Sequence, residues 1–109
     1  MARPNRIRAV AFKEGDVWVI QGIDYDVVAQ TKDPLDAPVA FLQTLISTML
    51  INKRLGRTGL DKIQPAPDRF RKMFDRATVE LSPAGPLPIE DQMPRPDIKL
   101  RAYREHHAA

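Results

Sequence analysis

Three short apolar runs crowd the first 31 positions, and a long helical period follows them at once. That order leaves a short chain few ways to fold. Arg6 to Phe12 alternates as a strand does, with Ile7, Ala9 and Ala11 on one side and Val10 and Phe12 on the other. Lys13-Glu14-Gly15-Asp16 is turn chemistry, because glycine supplies the positive φ of a tight hairpin. Val17 to Gln21 returns as a second strand rich in β-branched and aromatic residues, with Trp18 and Ile20 on one face and Val17 and Val19 on the other. Gly22-Ile23-Asp24 interrupts the run. Tyr25 to Thr31 then gives a third strand with Tyr25, Val27 and Ala29 on one side. Such an antiparallel meander is not stable alone and needs a cover on one face.

The following segment supplies one. Val39, Leu42, Leu45, Ile46, Met49 and Leu50 recur at helical spacing. Asp33 suits an N-cap and Pro34 the first helical position. Alternatively, Asp36 is the N-cap and Pro38 sits at the second helical position. Lys53 and Arg54 suit the negative end of the helix dipole, and Gly56 stops the helix near Leu55. After a Gly- and Pro-containing connection, Asp68 to Ala77 predicts a short second helix. Phe70, Met73, Phe74 and Ala77 form its inner face, and Arg69, Arg71, Lys72 and Arg76 its wet one. Thr78 to Leu81 alternates as a candidate fourth strand. Beyond Ser82 come Pro83, Pro86, Pro88, Pro94 and Pro96, a composition that cannot bury enough surface to fold alone. Asp97 to Tyr103 can still form a last strand through Ile98 and Leu100. The 109 residues suit one domain. The expected fold is α+β: an antiparallel β-β-β-α sandwich with one covering helix, a short second helix and a possible fourth strand. The domain is expected at 1–81, with 82–109 as a Pro-rich extended or disordered tail.

Ala9-Val10-Ala11-Phe12, Glu14-Gly15-Asp16, Val17-Trp18-Val19-Ile20, Val27-Val28-Ala29-Gln30 and Asp36-Ala37 follow one another in an order met elsewhere. Over Ile7 to Leu45 they resemble the HicB-like small domains, the antitoxin half of HicA–HicB pairs. The sequence departs from that pattern at Gly22, where proline is usual, at Thr31, where glycine is usual, and at Pro34. Family antitoxins commonly add a C-terminal DNA-binding module, and nothing after Leu81 looks like one. The resemblance implies a non-enzymatic, protein-binding regulatory module with a small toxin-like protein as partner.

Composition narrows the chemistry. With no cysteine, disulfides and thiolate metal sites are excluded. The basic start Met1 to Arg8 leads into too short an apolar run for a secretory signal, and no stretch near 18 apolar residues is evident, so a cytoplasmic protein is expected. Net charge is +3, unevenly spread: residues 14–38 carry six acids against Lys32, and residues 53–76 carry eight bases against three acids. Asp24 and Asp26, two apart, are carboxylates of a kind that can hold a cation, but no further ligand is near in sequence. His106 and His107 lie at the C-terminus, and Ser47 and Thr48 have no histidine beside them. Gly56-Arg57-Thr58-Gly59 has the spacing of a backbone-clamping GxxG loop, yet Pro65 and Pro67 come too soon for the helix such a loop opens. No nucleophile–base set can be assembled, so no enzyme, metal or cofactor is expected.

Two functions remain. In the first, the chain binds protein as a homo-oligomer through an apolar sheet face formed by Val10, Phe12, Trp18 and Ile20. In the second, Lys53, Arg54, Arg57, Arg69, Arg71 and Lys72 form a basic patch for phosphates or an acidic partner.

Overall fold

The computed structural model describes residues 6–82 and 97–104. The five prolines from Pro83 to Pro96, together with His106 and His107, lie outside the described residues. Among the described residues the chain runs β1 (Arg6–Glu14), β2 (Val17–Gly22), β3 (Val28–Thr31), a 3-10 turn (Pro34–Asp36), α1 (Ala37–Arg54), α2 (Asp68–Arg76), β4 (Val79–Leu81) and β5 (Asp97–Ala102). The class is α+β, with a sheet covered by helix.

The sheet has five strands in the order β3-β2-β1-β5-β4. The expected meander forms: β1 pairs antiparallel with β2 from Ala9 opposite Gly22 to Glu14 opposite Val17, and β2 pairs antiparallel with β3. Gly15 turns the hairpin at φ 62°, a conformation that costs a side-chain-bearing residue far more. The expectation of a wholly antiparallel sheet is corrected, because β5 runs parallel to β1, and β4 antiparallel to β5. The boundary drawn at Leu81 is corrected with it. Asp97–Ala102 is an inner strand that fills the second edge of β1, and Leu100 and Ala102 are buried there.

The single covering helix is corrected as well. Successive β1 residues point to opposite faces, and both faces are covered. Ile7, Ala9 and Ala11 join Ile20, Ala29 and Leu100 beneath Phe41 and Leu45 of α1. Val10 lies on the other face with Ile23 and Phe74, flanked by Phe12 and Phe70. The result is three layers, α1–sheet–α2. A strand buried on both faces reads as a continuous apolar run, which is what Ala9-Val10-Ala11-Phe12 is.

Small residues let α1 sit close. Ala9, Ala11 and Ala29 floor its contact, and Phe41 reaches down over Gly22. A Cβ at Gly22 would collide with the Tyr25 carbonyl oxygen and lie 3.3 Å from the tip of the Phe41 ring. Both readings of the helix start are used. Asp33 caps the 3-10 turn, its Oδ1 accepting from the Leu35 N–H at 2.9 Å, and α1 proper then begins with Pro38 at its second position. At the far end the Arg57 N–H bonds the Asn52 carbonyl (2.8 Å) and the Gly56 N–H bonds the Lys53 carbonyl (3.1 Å), with Gly56 at φ 77°. These are the paired bonds of a Schellman stop.

β3 is shorter than the expected Tyr25–Thr31. Its first part leaves the ladder to meet the connection between the helices: the Asp26 N–H donates to the Gln64 carbonyl, and the Ala66 N–H to that of Ile23. Those bonds hold residues 64–66 beside the loop that follows β2, on the route from one face of the sheet to the other.

Candidate functional site

The four residues expected to form one open sheet face do not share a face. Ile20 points under α1 and Val10 points toward α2, and both are completely buried within the chain. Trp18 and Phe12 are half-buried on opposite sides of the sheet. The expected interface is therefore corrected. The second helix covers the face that sequence reasoning left open, because Phe70 stacks on Phe12 with ring centres 6.0 Å apart and Phe74 packs on Val10.

Phe12 and Trp18 both border one cleft at the hairpin end of the sheet. With Met73, Tyr103, Lys13 and Arg104, they line its volume of about 500 Å³. It offers apolar walls and two cations. No carboxylate or histidine lines it among the described residues, and its polar groups are the Tyr103 phenol and the Lys13 and Arg104 side chains.

The six basic residues are also divided. Lys53, Arg54 and Arg57 lie at the end of α1, and Arg69, Arg71 and Lys72 lie on α2, across the sheet. They do not form one patch. The α2 cations are engaged locally: Arg71 is 2.7 Å and Lys72 3.8 Å from the Asp68 carboxylate, and Arg69 lies 4.7 Å over the Phe70 ring. Exposed pairs of this kind contribute little to stability and lower the charge available to a phosphate.

The cations that matter to the fold are Arg8 and Arg101, which sequence reasoning did not single out. Both project from the sheet onto Phe74, 5.9 Å and 4.4 Å from the ring centre, and Arg101 donates to the Phe74 carbonyl at 3.3 Å. Arg8 also holds Asp24, with Nη2 to Oδ1 at 2.8 Å, while the Arg8 backbone N–H donates to Oδ2 at 2.8 Å. Partial burial works against the Asp24 carboxylate, yet the Arg8 side-chain and backbone hydrogen bonds overcome it and hold the carboxyl below its usual range. The Arg8 guanidinium is raised above its usual value, chiefly by its hydrogen bond to Asp24, with burial opposing. Asp26 turns elsewhere, accepting from Gln21 Nε2 at 2.8 Å. The Asp24–Asp26 pair is thus two structural acceptors, and no group of three or more metal-ligating side chains occurs among the described residues.

Two buried polar residues also escaped sequence reasoning. Asn52 spans the Gly56–Gly59 loop, its Nδ2 donating to the Gly59 and Asp61 carbonyls at 2.9 and 3.1 Å. Gln21 ties the Asp26 carboxylate to the Gly22 carbonyl. Each breaks an apolar pattern, which was the available signal. The GxxG-like loop is accordingly held as a helix stop, with Gly59 at φ 57°.

A larger departure concerns α1. The segment Pro34–Arg54 is long and apolar enough to cross a membrane by length and composition, with mean hydropathy 1.4, contrary to the expectation that no such stretch exists. Its inner face supplies Phe41, Leu42 and Leu45 to the core. Its outer side is mixed, with Gln43, Ser47, Lys53 and Arg54 exposed, but its C-terminal part also leaves large apolar side chains in water. Leu50, Ile51 and Leu55 stay 47%, 57% and 61% exposed, and Leu35, just before the helix, 75%. Exposed apolar side chains gathered at one end of a helix are candidates for a contact surface. No protein-family model, no curated protein and no solved structure matches this chain.

Proposed function

We propose that this chain is a non-enzymatic protein-binding module that works as a homo-oligomer, of the regulatory kind that the HicB-like resemblance implies. The observation that carries the reading is the exposed apolar end of α1, Leu50, Ile51 and Leu55, set beside a sheet whose two faces are already filled. A cluster of exposed apolar side chains on a small domain marks an interaction site more often than a catalytic one. The β-β-β-α order over Ile7 to Leu45 supports the same reading. A small toxin-like protein is the partner that the resemblance implies.

The nucleic-acid alternative draws less support, because its six basic residues lie on two sides of the sheet. The two readings differ in their salt response. Assembly through apolar surface persists as salt rises, whereas phosphate binding weakens steeply. Light scattering on the purified chain, at low and high salt and with and without a short duplex, separates them. The proposal expects a defined oligomer at every salt concentration and no bound duplex. A monomer that takes up duplex only at low salt contradicts it.

A further inference from the structure

We propose that the cleft at the hairpin end of the sheet binds a small aromatic carboxylate, its ring against Trp18 and Phe12 and its anionic group held by Lys13 and Arg104. The cleft includes none of Leu50, Ile51 and Leu55, so the inference stands apart from the proposed oligomer.

The cleft exists because neighbouring strands differ in extent. β1 runs on to Glu14, but its ladder with β5 ends where Ala11 meets Ala102. One further bond, from the Tyr103 N–H to the Ala11 carbonyl at 2.7 Å, carries the chain just past that point. The β1–β2 hairpin therefore projects beyond β5, as far as Glu14 opposite Val17. Tyr103, Arg104 and the hairpin border the space that this step leaves. Its volume of about 500 Å³ falls within the range of about 300–1,000 Å³ common to small-molecule sites.

The walls are aromatic. The chain has one tryptophan, and Trp18 lines the cleft together with Tyr103 and Phe12. Phe12 is held by Phe70, the ring centres 6.0 Å apart and the planes at 21°. Met73 of α2 adds a flexible, polarizable surface that adapts to a flat guest. Trp18, Phe12, Met73 and Tyr103 are each half-buried, so each is anchored and still offers surface. Aromatic rings stack on such walls with centres about 4.5–7 Å apart.

Charge selects the guest. A group of aromatic rings also suits a quaternary ammonium. Among the described residues, however, the charged side chains lining this cleft are Lys13 and Arg104, which repel a cation and attract an anion. Glu14 and Asp16 of the same hairpin do not line it. Neither Lys13 nor Arg104 forms an ion pair among the described residues, whereas Arg6, Arg8, Arg71, Lys72 and Lys99 do. A guanidinium matches the two oxygens of a carboxylate with its planar fork. One charge also costs less to bring against apolar walls than the two of a phosphate.

The single tryptophan makes the test site-specific, because the isotope-labelled full chain shows one indole N–H resonance in its NMR spectrum. Titration with cinnamate should shift that resonance saturably, with a dissociation constant between about 10 μM and 1 mM. Cinnamamide, the same ring without the charge, should bind about tenfold more weakly, and choline should not bind. Lys13→Gln and Arg104→Gln should each weaken cinnamate about three- to tenfold and leave cinnamamide unchanged, which separates lost charge from a damaged fold. The absence of a saturable shift up to about 10 mM cinnamate overturns the site. Equal affinity for cinnamate and cinnamamide, or binding of choline, overturns the assignment of an anion.

Discussion

The two helices flank one sheet and obey different rules. α2 is nine residues long and strongly two-sided: Phe70, Met73 and Phe74 face the sheet, while its cations face water and pair within the helix. α1 is twice as long and buries Phe41, Leu42 and Leu45 on its inner side, yet leaves Leu50, Ile51 and Leu55 on the outside. By its pattern α2 needs only the sheet, and its amphipathic face is fully used. The α1 pattern exceeds what the sheet can cover. That surplus is the reason the proposal places the interface on α1 rather than on the basic face of α2.

The largest effect that can break this comparison lies in the two cores. Phe41→Ala should cost about 3–5 kcal/mol in urea unfolding, because the ring is wholly enclosed between α1 and the sheet. Phe74→Ala should cost less, about 2–3 kcal/mol, since the α2 layer is thinner and can collapse onto Val10. Equal losses would contradict the asymmetry. Gly22→Ala comes next, at about 1–3 kcal/mol, because the added methyl meets a carbonyl oxygen and the Phe41 ring. Thermal unfolding of the variant measures it, and an unchanged midpoint would show that the loop after β2 does not need to pass so close there.

Electrostatics sharpen the α2 side. The Asp24 carboxyl is held below its ordinary value, so its contact with Arg8 contributes fully above the unfolded value of about 4 and is lost as pH falls through the folded one. Asp24→Asn should lower stability at neutral pH by about 1 kcal/mol, allowing for solvent screening, and flatten the decline in acid. A stability–pH curve with the parent's acid limb would contradict that role. The smallest effect belongs to the exposed cations. Arg71→Gln and Lys53→Gln should each move stability by less than about 0.5 kcal/mol and leave the oligomer's mass unchanged. A joint loss of duplex binding in a titration would instead favour the nucleic-acid alternative.

The readable parts of the sequence were those whose pattern is local. Gly15 between two alternating runs fixed the hairpin, and Asp33, Pro34 and Gly56 fixed both ends of the first helical region. What depended on distant partners was not readable. β5 has only Ile98, Leu100 and Ala102 to show as an apolar face, and its place arises because β1 has an unfilled edge more than 80 residues away. The α2 pattern states that one face is inward without naming the surface it meets. The run Ala9-Val10-Ala11-Phe12 held that information, since alternate residues can be apolar on both sides only if both sides are covered. Reading Val10 and Phe12 as an open face followed from assigning the sheet one cover. The outer side of α1 was hidden by its own periodicity: once Leu42 and Leu45 were placed inward, Leu50 was counted with them although it points out.

Sedimentation equilibrium on the full chain beside an Ile51→Glu variant tests the central claim most directly. The account predicts a parent at twice its 12.3 kDa chain mass or a higher multiple at low and high salt, and a folded variant shifted to the monomer, because Ile51 is 57% exposed and outside the core. A monomeric parent, or a variant that assembles as the parent does, would contradict the assignment of the α1 outer side as the interface.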